Sequence, residues 1–156
     1  MTLDGVANDG GESDNVGVDV EDIVGGSGND SLVGNDGPNQ LFGNGGNDTL
    51  VGGAYDDRLD GGVGTDSLVG GDGIDTASYT GRTENLTIVL DGIFNDGAAG
   101  ENDKIDADVE NVDGGDGNDS ITGNAEGNQL FGGPGDDTLT GLAGGSGRPD
   151  GSGKRD

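Results

Sequence analysis

The sequence predicts an all-β solenoid of nonapeptide repeats, interrupted by an irregular connector with short strands. Three observations carry that expectation. Cut after every ninth residue, positions 25 to 78 read GGSGNDSLV, GNDGPNQLF, GNGGNDTLV, GGAYDDRLD, GGVGTDSLV and GGDGIDTAS, six units with no insertion between them. The sixth position of each unit holds an acid or an amide (Asp30, Asn39, Asp48, Asp57, Asp66, Asp75), and the eighth holds Leu32, Leu41, Leu50, Leu59, Leu68 and then Ala77. Glycine recurs at the first, second and fourth positions, where a turn needs positive φ and no side chain. A unit this small cannot bury its own apolar face, so neighbours must stack on it.

Each unit therefore divides into a six-residue turn and a three-residue strand that sends one side chain inward, from position eight. The composition is compatible only with an unusual fold. Of 156 residues 38 are glycine and 3% are aromatic, and 32 acidic against 6 basic residues give a formal net charge of −26. So little apolar surface under so much like charge ordinarily leaves a chain disordered, because burial does not offset conformational entropy. A low-complexity linker is nevertheless disfavoured, since random composition does not hold aspartate at position six in step with leucine at position eight.

These units resemble the G-G-x-G-x-D-x-U-x nonapeptide of the RTX, or repeats-in-toxin, family of secreted proteins. The resemblance implies a right-handed parallel β-roll with two units per turn, so that units eighteen residues apart share an edge and hold calcium between them. It also implies the ligands: carbonyls of positions two and four and the position-six carboxylate of one unit, then carbonyls of positions one and three and the carboxylate of the next. Such a set of hard oxygens in flexible loops suits calcium. On one edge Gly26, Gly28 and Asp30 would face Gly43, Gly45 and Asp48, and Asn44, Gly46 and Asp48 would face Gly61, Val63 and Asp66. On the other, Gly53, Tyr55 and Asp57 would face Gly70, Asp72 and Asp75, with Tyr55 where the pattern has glycine. The pairing of Asn35, Gly37 and Asn39 with Gly52, Ala54 and Asp57 is expected to be weaker, because Asn39 offers a neutral amide. Filling about four or five sites would cancel roughly ten negative charges, which couples metal binding to folding.

In chain order, residues 1 to 24 form a partial lead-in. LDGVANDG (Leu3 to Gly10) recurs as LDGIFNDG (Leu90 to Gly97), so a longer module is duplicated, and a fragment of a longer repeat protein, or a truncated relative of one, is expected. Counting back in nines, Glu21 and Glu110 take position six while Ile23 and Val112 take position eight, which makes both segments degenerate rungs. Each is followed eighteen residues later by an amide, Asn39 or Asn128, so a weak or empty site is expected at the start of each roll. Residues 25 to 78 are the first array. The connector, 79 to 113, holds a strand over Leu86 to Leu90 and an acidic, glycine-punctuated loop from Asp91 to Asp103, whose acids miss the EF-hand spacing and are expected to be solvated. The second array, 114 to 146, supplies Gly115, Gly117 and Asp119 opposite Gly132, Pro134 and Asp137, and a poor pair, Asn128 with Ser146. The tail, 147 to 156, has no period and is expected to be disordered. Tyr55, Tyr79, Phe42 and Phe131 are expected to cover the roll or its ends.

Several functions are disfavoured. There is no histidine for a triad, a histidine base or an HExxH zinc site, so no enzyme is expected. Cysteine is absent, which removes disulfides and thiolate sites. Acidity repels nucleic acid, no apolar run approaches the ~20 residues of a membrane span, and MTLDGVANDG lacks the regions of a signal peptide. The expected role is a calcium-binding module that folds in extracellular calcium as a structural element of a secreted protein, with partner domains in a longer parent. The alternative is a binding surface for ice, carbohydrate or protein on the ladder Ser31, Val33, Thr49, Val51, Ser67 and Val69, repeated at ~4.8 Å.

Overall fold

Leucine at every ninth place becomes a column once the units stack. The structure, a computed structural model, describes residues 20–142 and contains strands and turns but no helix among them. One face of the solenoid is a six-stranded parallel sheet of β1 (Asp22–Val24), β3 (Gln40–Phe42), β5 (Arg58–Asp60), β7 (Thr76–Ser78), β11 (Asn111–Asp113) and β13 (Gln129–Phe131), in that order. The opposite face carries β2 (Ser31–Val33), β4 (Thr49–Ala54), β6 (Ser67–Asp72) and β10 (Lys104–Ile105) in one sheet, with β8 (Leu86–Val89), β9 (Gly97–Ala98), β12 (Ser120–Thr122) and β14 (Thr138–Thr140) in another. The sheet running through both arrays shows that they stack on one another.

Register follows the period. Ile23 pairs with Leu41, Leu41 with Leu59, Leu59 with Ala77, Ala77 with Val112 and Val112 with Leu130, and on the other face Leu32, Leu50, Leu68 and Ile105 align. All these side chains are buried, and they form one core with Tyr79, Leu86, Ile88, Leu90, Val109 and Ile121. The lead-in rungs are thus real strands. Residues 1–19 and 143–156, which include the repeat at Leu3, the Ser146 pair and the tail, lie outside the described residues.

Three expectations need correction. Strands β4 and β6 are six residues long, because their pairing continues round the corner through Gly53 with Gly71 and Ala54 with Asp72; positive φ at both glycines keeps the main chain in step. The acids of the connector are not all solvated. Asp96 and Asp103 are 1% and 2% exposed, since the loop folds back, pairs β9 antiparallel with β8, and lays β10 against β6. Finally, Tyr55 does not cover the roll: its side chain is 64% exposed, whereas Tyr79 lies in the core and Phe42 and Phe131 are half-buried on the outer sheet face.

Candidate metal centre

The repeating chemistry lies at the corners, between strands. A main-chain N–H at position six is left over by the turn, and the position-six carboxylate of the following turn accepts it. Asp30 N–H donates to Asp48 Oδ1 at 2.7 Å, and Asn39, Asp48 and Asp57 donate to Asp57, Asp66 and Asp75 at 2.8 Å each. Asp119 donates to Asp137 Oδ1 at 2.9 Å in the second array. One carboxylate oxygen is therefore committed to the fold.

The second oxygen is what fits a cation. The Oδ2 atoms of Asp48, Asp57, Asp66 and Asp75 are buried and make no hydrogen bond. An unpaired buried carboxylate oxygen costs several kcal/mol unless a counter-charge meets it. Burial accordingly pushes the carboxyls of Asp57, Asp66 and Asp75 up to about 6, against the partial relief of the backbone N–H that each accepts, and raises Asp48 for the same reason. Neighbouring position-six carboxylates add to the rise at Asp66 and Asp75. A ladder of like charges with orphaned oxygens is stable when divalent ions sit along it.

The carbonyls are stacked in the same places. Gly28 carries its carbonyl beneath Gly46, and Gly46 beneath Gly64, so closely that a Cβ on Gly64 would stand 1.7 Å from Gly46 O, at a φ of +151°. Only glycine fits there. The Gly45 N–H reaches Gly26 O at 3.4 Å and the Val63 N–H reaches Asn44 O at 2.8 Å, so the residues of both predicted sites on this edge are neighbours. Next to the position-six acids, the Cβ that Gly43, Gly61 and Gly70 lack would lie within 2.5 Å of the Oδ2 of Asp48, Asp66 and Asp75. On the other edge Tyr55 takes a left-handed φ of 70° and keeps its carbonyl in line, 2.3 Å from where a Cβ on Gly73 would be, so the departure from glycine concerns only an outward side chain. Gly53, Asp57 and Asp72 stack on Gly71, Asp75 and Ala54 as the register requires. In the second array Gly115 and Gly117 lie beneath Gly133 and Gly135, flanking Gly132, Pro134 and Asp137. Each rung with aspartate on both turns thus brings two carboxylates to a corner where main-chain carbonyls also stack; among the described residues no group of three or more acids is placed to hold a metal ion by itself.

The amides behave differently. Asn39 directs its Nδ2 at the carbonyls of Val20 and Glu21, both at 3.3 Å, and Asn128 hydrogen-bonds to Asn124 through both ends of its amide. At Asn39 a neutral donor bonds the preceding turn directly.

Two rungs from outside the first array extend it. Asp75 N–H donates to Glu110 Oε2 at 2.8 Å, and Asp66 N–H donates to Asp103 Oδ1 at 2.9 Å, so Glu110 and Asp103 each carry a position-six carboxylate onto the end of the first array. The first could be found by counting back from the second array, given a shared stack; the second lies 37 residues away in sequence and has no periodic signal. Residues 81 to 89, GRTENLTIV, also prove to be a unit: Thr87, Ile88 and Val89 pair with Ser120, Ile121 and Thr122, and Leu86, at position six, donates its N–H to Asp119 Oδ1 at 2.9 Å. A ladder at position five completes the corners, in which Asn29, Asn47, Asp56, Asn85 and Asn118 each accept the N–H of the residue one turn on.

Comparison with known families agrees with this geometry. The family model described as the RTX calcium-binding nonapeptide repeat (4 copies) matches residues 17–50, 42–77 and 113–146, more than half of the chain. No curated protein matches it. With a parallel solenoid of nine-residue units, orphaned carboxylate oxygens at position six of four successive units and that match over both arrays, the chain belongs to the family of RTX calcium-binding nonapeptide repeats.

Proposed function

We propose that this repeat module folds when it meets extracellular calcium and serves as a structural, non-enzymatic part of a secreted protein. The observation that carries the reading is the row of buried, unpartnered Oδ2 atoms at Asp48, Asp57, Asp66 and Asp75. In calcium-free surroundings those oxygens and a net charge of −26 oppose the fold. Calcium supplies charge and coordination at the same points, held by the position-six carboxylates and the stacked carbonyls of Gly26, Gly28, Asn44, Gly46, Gly53 and Tyr55. Extracellular modules bind calcium with Kd values of about 10⁻⁴ to 10⁻³ M, so cytosolic concentrations leave such a chain extended and exportable. Each site with calcium tenfold above its Kd adds about 1.4 kcal/mol to stability, and several sites add cooperatively through the shared stack.

The test is far-UV circular dichroism of the full chain during a calcium titration from metal-free protein, with magnesium as the control. A cooperative gain of β signal in roughly millimolar calcium, absent with magnesium, is expected. Full β signal in chelator, unchanged by calcium, would mean that the leucine column folds the chain unaided and would overturn the reading.

A further inference from the structure

The row of position-six pairs on one edge runs from Asp30 to Asp48 to Asp66, and the fold continues it one step further. Lys104 and Ile105 pair with Ser67 and Leu68, and Asp103 accepts the Asp66 N–H just as Asp66 accepts that of Asp48. By this equivalence Asp66 and Asp103 frame another cation position. A positive group is already beside it. Arg82 Nη1 donates to Gly62 O at 2.6 Å, and Gly62 O is the position-two carbonyl of the Asp66 unit. On the preceding turn the same carbonyl, Asn44 O, receives the main-chain Val63 N–H. Arg82 Nη2 binds Glu101 Oε1 at 2.7 Å, and Glu101 precedes Asp103 by two residues, which is position four of the incoming rung. Both side chains are largely enclosed, at 14% and 13% exposed, and Thr65 Oγ1 donates to the Glu101 carbonyl to close the corner. Tyr79 O–H donates to Asp103 Oδ2 at 3.1 Å.

We infer that Arg82 is a built-in cation standing in for calcium on the rung between Asp66 and Asp103, so that the junction of the two arrays is held without metal. The inference rests on the calcium reading of the other rungs. Arginine suits the place because it stays charged at all relevant pH and presents several donors in a plane, here to the Gly62 carbonyl, whose equivalents on other turns are read as calcium ligands, and to the carboxylates of Glu101 and Glu84. It brings one charge where calcium brings two, and the Tyr79 hydroxyl makes up part of the difference at Asp103 by hydrogen bonding. Within the first array, calcium sites on this edge then end with the Asp48 and Asp66 pair.

The experiment counts calcium bound per full-length chain by isothermal titration calorimetry, for the parent, Arg82→Met, Arg82→Lys and Asp103→Asn. Arg82→Met empties the position and is expected to bind about one calcium more than the parent, while Arg82→Lys keeps the charge and the parent count. Asp103→Asn is expected to leave the count unchanged, because no calcium touches Asp103; a count lower by one would show that the rung holds metal and overturn the inference. Should Arg82→Met not fold even in saturating calcium, the Asp103→Asn count decides alone. An Arg82→Met protein that folds with the parent count also overturns the inference while leaving the calcium reading intact, whereas a parent that binds no calcium removes both.

Discussion

Position six sets, turn by turn, what each corner offers a cation. At Asp48, Asp57, Asp66 and Asp75 the aspartate satisfies one N–H and strands its other oxygen, while an asparagine spends its second atom as a donor, as Asn39 does toward Val20 and Glu21. Asp48 belongs to two successive pairs, Asp30 with Asp48 and Asp48 with Asp66. Asp48→Asn is therefore expected to lower the calcium count by about two and to make the chain more stable in chelator, since a buried unpaired charge is removed. Calorimetry and urea unfolding in chelator check the two halves, and an unchanged calcium count would contradict the shared-carboxylate geometry. Leu50 is fully buried in the column, so Leu50→Ala should cost about 2–5 kcal/mol in urea unfolding at saturating calcium. These residues were legible in the sequence because each repeats at a fixed offset; the Tyr55 conformation was not, because the placing of a main-chain carbonyl leaves no mark on residue type.

The connector is the element where local and global order part. Its strand at Leu86 could be read from alternation, yet its loop was expected to be solvated and instead places Asp96 and Asp103 in the core. Each is kept there by main-chain donors: Val89 and Ile105 N–H at Asp96, and Asp66 N–H with the Tyr79 hydroxyl at Asp103. Burial pushes both carboxyls up to about 7. Tyr79→Phe removes one donor and leaves Asp103 Oδ2 buried, which should destabilise the protein by about 1–3 kcal/mol in urea unfolding. A loss near zero would place the hydroxyl outside the junction's hydrogen-bond network. The exposed tip at Ile93 and Phe94 contributes nothing to this core. None of these partners could be paired from sequence, because an acid beside glycine looks the same whether its loop folds inward or outward.

At the scale of the whole molecule, charge links metal, protons and fold. Burial pushes the carboxyls of Asp57, Asp66 and Asp75 up from an ordinary aspartate value of 3.8 to about 6, and those of Asp96 and Asp103 to about 7. Because these values are raised, the folded chain holds more protons than the unfolded one, and their stabilisation is complete below about 3.8 and lost as pH rises through about 6 to 7. The metal-free protein should thus melt at higher temperature near pH 5 than near pH 8. Saturating calcium should reverse the order, since the ligands must be ionised to bind it. Thermal scans at both pH values, with calcium and with chelator, check this, and the same order under both conditions would count against carboxylate ligation. The sequence by itself determined the period and the inward leucines, since nine-residue spacing sets both locally and repetition makes a local rule visible, while the alternating edges and the calcium ligands came from its resemblance to the RTX repeats. Tertiary structure alone decided that the two arrays form one stack, that Asp103 and Glu110 lengthen the carboxylate rows, and that Arg82 lies beside the Asp66 rung. Those contacts join residues 19 to 37 positions apart across an insertion, where no repeat carries the register and only the packing of β10 on β6 and of β11 on β7 brings them together.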